Sequence, residues 1–564
     1  MKFRSKRWSM LCAGLLMGLT GLGIWAMRND DKYFEIIKSL DIYASVLRDL
    51  NTYYVDSLSP FALMRTSVDA MTSSLDPYTT FYPQENVADL TFQTTGKYGG
   101  TGIAIRRDDD HVIIFDVLQD SPAGLAGLRP GDRIERIDDK DVDSLSEDAV
   151  SDLLRGEPGT TVVLGIYRPY LQQRFTVKLI RAEVGLSSVP YAFRLQDGTG
   201  YIRLQQFTEG CSLQVKRALD SLKSLPGGIQ GLILDLRGNP GGLLEEAVKT
   251  ANLFVDPGQT IVSLRGRVQA WNQIYRTTER ADDDSIPLAI LINHQSASAA
   301  EILAGALQDL DRAVIIGQRS YGKGLVQTTH DLPYDTRIKI TTARYYTPSG
   351  RCIQAITYAH QGDFLQQNFI PDSLRQTYTT AHGRIVKGGG GIEPDVPVRP
   401  EHVSEIAQDL LIHHMIFDYA TRYFYEHPKP ASPDDFMFTD QDYTSFLNFL
   451  EEKHYHFQSD ASQLLAQFTD QVQQEGWWEQ LRQQTDSLRR ALAEIEARQL
   501  LTHRKEIMQL LKAEIADRYW PQQGEWLVAL QTDEAIRRTR HILHDTKMYR
   551  SLLSSTTAQN VSVR

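Results

Sequence analysis

"PLAILINHQSASAAEILAGALQDL", residues 287–310, runs from an apolar stretch through a polar turn with two serines into a helical pattern. The apolar run is short and continuous, the signature of a strand buried on both faces. Beyond Ala299 the apolar positions recur at helical spacing. Ser296 and Ser298 therefore stand where a strand hands over to a helix, a place for either a nucleophile or a helix cap. Ser298 and Glu301 have capping-box spacing, so the capping use is real for Ser298 as well. His294 has no Asp partner at any telling spacing and reads as structural.

Working outward, "GLILDLRGNPGGLLEEAVKTANLFV" (231–255) reads as a buried strand, a glycine turn and an amphipathic helix. Glycines at 238, 241 and 242 permit close backbone approach and aim N–H groups outward at a helix start, as a developing oxyanion requires. Alone, such a turn equally suits phosphate. On the other side of the serines, Lys323 lies in "YGKG" and Gln327 follows four residues later. A lysine beside a serine acts as general base only when neutral, against an ordinary pKa of ~10.4. Burial among apolar groups lowers that value.

Five pieces, "DLRGNPGG", "SASAAEILAGALQD", "GQRSYGKGLVQ", "ARYYTPSGRCIQ" and "GGGGIEPDV", come in an order that resembles the carboxy-terminal processing peptidases, the tail-specific serine proteases of family S41. The resemblance covers roughly residues 35–400. It implies Ser298 as nucleophile, Lys323 as general base and Gln327 as the residue orienting the lysine. It implies an oxyanion hole from the Ala299 N–H and the Gly241/Gly242 turn, with the choice between the two glycines open. The fold it implies is an α/β serine protease core of the crotonase and Clp-protease type, carrying an inserted PDZ domain and a helical N-terminal segment. No metal or organic cofactor is implied.

Residues 86–185 change texture to short strands and glycine turns. "YGGTGIAI" and "SPAGLAGLRPGDRIERID" resemble the PDZ domains of bacterial proteases. Strands are expected over 101–107, 111–118 and 131–138, a short helix over 121–128, a helix over 143–156 opening on a Ser144/Glu147 capping box, and a closing hairpin. The Gly99–Gly102 stretch reads as a turn whose N–H groups form a nest for a terminal carboxylate. The strand after it is placed to pair with an extended peptide. The residues expected to bind are Gly100, Thr101, Gly102, Ile103, Ala104, Ile105, Ala149 and Leu153. The partners implied are protein or peptide substrates held by their C-termini.

The rest of the 564 residues divides into 1–30 as a signal anchor or signal peptide, 31–85 as a helical N-terminal segment, 186–400 as the protease core and 401–564 as an appended α-helical region. "MKFRSKR" carries four basic residues, and Trp8 to Met27 then runs 20 residues without a charge. Basic residues before such a run direct export, and its length favours an uncleaved anchor over a removed signal peptide. The expected location is the cell envelope, on the periplasmic side of the inner membrane. Residues 401–564 are nearly free of glycine and rich in Gln, Glu, Arg and Leu, a region suited to self-association or to docking a partner protein. A net charge of -11 argues against nucleic acid. Cys211 and Cys352 are the two thiols outside the apolar N-terminus, and their spacing does not decide whether they pair. The expected activity is an envelope endopeptidase, with a catalytically silent PDZ scaffold as the alternative.

Overall fold

The computed structural model describes residues 33–108, 111–361, 364–400 and 403–554. The expected anchor at Trp8–Met27 lies outside them. Among the described residues, no helix is long and apolar enough to cross a membrane.

The chain forms two units. The smaller takes its residues from the N-terminal segment up to Gln84, from Gln327–Thr341 and from Tyr358–Gln366. It opens with a helix over 33–53 and a second over Pro60–Ser73. Pro60 at the first turn has no N–H to leave unpaired, and Ser59 Oγ accepts from the Ala62 N–H at 3.3 Å. Asp76 then takes the Tyr78 and Thr79 N–H groups at 2.8 Å each, which turns the chain into strand Thr80–Tyr82. That strand pairs antiparallel with the segment around Ile338.

The larger unit is built on a six-stranded sheet in the order Tyr191–Arg194, Thr199–Arg203, Gly231–Asp235, Leu288–Ile292, Val314–Gly317 and Val396–Pro397. Every pairing but the first is parallel. "GLILD", "LAILI" and "VIIG" are buried at every position, because layers cover both faces. On one face Leu232, Leu234, Leu288 and Ile290 pack on helices Cys211–Ser224, Leu244–Asn252 and Ala299–Asp309. The alternate residues Ile233, Ala289, Leu291 and Ile316 pack on Ile536, Ile542, Leu543 and Tyr549. The last helices of the C-terminal region, Glu534–His544 and Thr546–Leu552, thus supply the second layer of the core. Their polar composition did not announce this role.

Residues 103–180 make an antiparallel sheet of strands Ile103–Asp108, His111–Val117, Arg133–Ile137, Thr161–Arg168 and Gln173–Ile180 around its own core. Its helix starts later than the spacing suggested, at Glu147, capped by Ser146 Oγ on the Ala149 N–H. The expected Ser144/Glu147 box does not form, because Leu145 turns back to bond Val142 and packs on the module's core. Gly99 and Gly100 correct a second expectation. They lie in strand Lys97–Gly100, paired with Ala182–Gly185, so the turn is confined to Gly102 with its φ of 81°.

The helices from Glu405 to Thr532 enclose an aromatic-rich core of their own around Tyr419, Phe446, Phe449 and Leu511. They rest on the 103–180 module through stacked Phe115–Phe417 and Tyr170–Tyr425 rings, 5.3 and 5.4 Å apart, and an Arg106–Asp418 ion pair. Cys211 and Cys352 are free thiols.

Candidate active site

Two turns at the C-terminal ends of neighbouring strands meet here. The first leaves strand Gly231–Asp235. Asp235 is fully buried, between Arg203 at 2.9 Å and Arg237 at 2.6 Å, and accepts from the Tyr201 hydroxyl at 2.8 Å. Burial alone would push its carboxyl up, but Arg237 and Arg203 outweigh that and hold it at about 2. Asn239, also buried, donates to Leu204 O, and its carbonyl oxygen Oδ1 accepts from the Gly241 N–H at 2.8 Å. Its main-chain carbonyl accepts from the Ala297 N–H at 2.9 Å, which ties this turn to the serine loop. Gly241 has a φ of 99°, and a Cβ there would stand 2.7 Å from Ser298 Cβ and 2.9 Å from Ala299 N. Only glycine permits that approach.

The second turn carries the serines. Ser296 is buried and its hydroxyl is used in both directions, donating to Leu236 O at 2.8 Å and accepting from the Asn293 N–H at 2.9 Å. Ser298 is half-buried and sits at φ 55°, ψ −116°, a conformation L-residues avoid and one that costs of order 1–3 kcal/mol. Such strain at a strand-to-helix turn lifts a side chain clear of the loop. Among the described residues, neither the Ala299 nor the Gly242 N–H has a protein acceptor. His294 is exposed and meets Gln318 Oε1 at 3.2 Å, with no carboxylate partner among the described residues.

Glu301 binds the second turn to the lysine loop. It is fully buried. One carboxylate oxygen accepts from the Ser298 and Lys323 N–H groups, each at 2.9 Å. The other accepts from Ser320 Oγ at 2.5 Å and from the Gly322 N–H at 2.7 Å. Burial pushes its pKa up to about 7, and those four donors restrain the rise. A second bridge runs the same way. The buried Tyr345 hydroxyl lies 2.6 Å from Lys323 O and 3.2 Å from Ser298 O. The structure thus joins the Ser298 and Lys323 backbones twice, once through a carboxylate and once through a phenol. Lys323 itself is half-buried. Gln327 belongs to the smaller unit, where its amide donates to Thr341 Oγ1 at 3.1 Å.

A cavity of about 890 Å³ lies between strand Ile103–Asp108 and helix Glu147–Leu154, with Phe92, Tyr98 and Leu186 from outside the 103–180 module also lining it. Thr101, Gly102, Ile103, Ala104 and Ile105 line it as expected positions, joined by Ser151, Leu154 and Arg155. Gly100, Ala149 and Leu153 do not. Leu153 packs on the module's own core, one helical step away from the groove. Strand Ile103–Asp108 is the edge of its sheet, with one side unpaired within it.

Family models match three stretches: "Peptidase family S41" over residues 198–360, "PDZ domain" over 99–179 and "Probable PDZ-protease, C-terminal helical domain" over 406–543. A carboxy-terminal-processing protease of Bartonella bacilliformis is 37% identical over 323 residues, spanning 57% of this chain and 73% of its own. The chain belongs to peptidase family S41, the carboxy-terminal-processing proteases. A "Probable CtpA-like serine protease" of Staphylococcus haemolyticus is 31% identical over 365 residues, 62% of this chain and 71% of its own. Among solved structures, a photosystem II D1 C-terminal processing protease is 28% identical and covers 64% of this chain and 93% of its own, with a TM-score of 0.35. The assignment rests on the sequence relatives, and the chain is a serine-type peptidase with a PDZ domain.

Sequence reasoning missed Tyr345 as a site residue and read Glu301 only as a cap. The signal for Glu301 was its spacing to Ser298. Nothing in the sequence connects it to Gly322 and Lys323.

Proposed function

We propose that this S41 peptidase takes the C-terminal end of a protein substrate in the PDZ cavity and hydrolyses a peptide bond with Ser298 as nucleophile and Lys323 as general base. The Glu301 bridge carries this reading: one buried carboxylate accepts from the main-chain N–H of both residues. The neutral Lys323 amine takes the Ser298 hydroxyl proton as Oγ attacks the scissile carbonyl. The Ala299 and Gly242 N–H groups receive the oxyanion. Gly242 is favoured over Gly241 because the Gly241 N–H already donates to Asn239. The lysine then protonates the leaving amine, and water releases the acyl-enzyme by the reverse path. Gln327, four residues after the lysine, is proposed to orient its amine.

In the PDZ cavity the substrate's end strand adds to the open edge at Ile103–Ile105, with its carboxylate near Thr101 and Gly102. Trp8–Met27 is proposed as a membrane tether that keeps the peptidase outside the cytoplasm. Fractionation of intact cells followed by external protease digestion tests this, and recovery in the cytoplasm rules it out.

The catalytic test uses full-length protein and a substrate with an apolar C-terminus, its cuts mapped by mass spectrometry. Wild type cleaves it, while Ser298→Ala and Lys323→Ala do not. Amidating the substrate's C-terminus raises KM. Cleavage by Ser298→Ala at the wild-type rate overturns the assignment.

A further inference from the structure

The C-terminal helices reach Arg237, the residue at the entrance to the oxyanion turn. Arg237 stands one residue before Gly238 and sets the entrance to that turn. Its guanidinium grips both oxygens of Asp235, with Nε at 3.0 Å from each and Nη2 at 2.6 Å. The remaining nitrogen, Nη1, donates to Asp533 at 2.7 Å, 296 residues away in sequence. Asp533 is itself held. Its other oxygen accepts from the Ile536 N–H at 3.1 Å and caps helix Glu534–His544. That helix is pressed onto the sheet, with Leu543 3.2 Å from where a Cβ on Gly231 would stand.

The neighbouring helix Gly524–Thr532 does the same for the other arginine. Trp526 lies 4.7 Å from Arg203, which pairs with Asp235 Oδ1 at 2.9 Å. Asp235, Arg203 and Arg237 together carry a net positive charge, and Asp533 balances it. Asp235 already has both arginines, so Asp533 is not needed to neutralise it. What Asp533 adds is a fixed place for the free end of Arg237.

We propose that Asp533 is a positioning residue for peptide hydrolysis: it anchors Arg237 and, through it, the glycine turn that presents an oxyanion donor, which makes the C-terminal helical region part of the catalytic apparatus. This rests on the assignment of the Gly242 and Ala299 N–H groups to the oxyanion. Donors aimed at a developing charge act over tenths of an ångström, so a loosened turn lowers kcat and leaves substrate binding in the PDZ cavity, which shares no lining residue with the turn, alone.

The test compares full-length wild type, Asp533→Asn, Asp533→Glu and Arg237→Lys on the same tail substrate. Asparagine keeps the helix cap but gives up the charge, so folding is spared. Asp533→Asn lowers kcat about tenfold with KM within about twofold. Asp533→Glu recovers most of the rate. Arg237→Lys, which keeps the charge and loses the fork, resembles Asp533→Asn, and the double variant is no worse than either single change. Three results overturn the proposal: kcat for Asp533→Asn within about twofold of wild type, a loss that follows the thermal midpoint, or additive losses in the double variant. An inactive wild type, or an active Ser298→Ala, defeats instead the underlying reading of the active site.

Discussion

Glu301 meets four donors and offers no acceptor to spare, which makes its protonation state consequential. Buried and raised to about 7, its carboxyl binds a proton in the folded chain at pH values where the unfolded chain has lost it. Its contribution to stability is therefore full below the unfolded value of about 4.5 and declines as pH rises through 7, by about 3 kcal/mol in all. Denaturant melts of wild type and Glu301→Gln from pH 4.5 to 8 show wild type losing ground to the variant by that amount. A difference that does not vary with pH counts against the burial argument. The same geometry predicts activity. An amide at this position turns an N–H₂ toward two donors, either Ser298 and Lys323 or Ser320 and Gly322. Glu301→Gln accordingly lowers kcat by about tenfold or more at pH 8, with KM little changed. Tyr345→Phe removes the second bridge, costs about 1 kcal/mol of stability, and lowers kcat more than KM. The Ser298–Glu301 spacing was legible as a cap, but the destinations of the other three donors lie some 20 residues on and required the folded chain.

At the level of elements, the strand–turn–helix units were readable because continuous apolar runs and 3.6-residue periodicity differ in kind. Their boundaries were less so. The helix Glu147–Leu154 began two residues later than its capping signal suggested, since Leu145 was claimed by the core. Gly99 and Gly100 look like a turn in sequence and serve as a strand, because Ala182–Gly185 pairs with them. At Gly241 a φ of 99° and three close neighbours on the serine loop act together. Gly241→Ala should destabilise the chain by about 2–4 kcal/mol and abolish cleavage even under conditions where the chain stays folded. Melting curves paired with activity at a temperature well below the midpoint separate the two effects.

For the molecule as a whole, the C-terminal helices cover one face of the sheet of the larger unit. Leu543 and Tyr549 cover Ile233 and Leu291, and the Tyr549 hydroxyl accepts from the Leu288 N–H at 2.9 Å. Ending the chain near Pro400 uncovers those strands. The shortened protein is expected to aggregate or bind a hydrophobic dye. Leu543→Ala in the full chain is expected to lower stability by about 2–5 kcal/mol. Full solubility and an unchanged midpoint for both would show that the second layer is dispensable.

Ordered motifs at unmistakable spacing, read from the chain alone, were enough for the peptidase family and the PDZ module, since each motif is written in neighbouring residues. The partners that make the site rigid were decided only by tertiary structure. Glu301, Tyr345, Arg237 and Asp533 act across separations of about 20 to 300 residues, and a buried charge or hydroxyl finds its partner by proximity in space. Periodicity tells which face of a helix is apolar. It does not tell which sheet that face will cover.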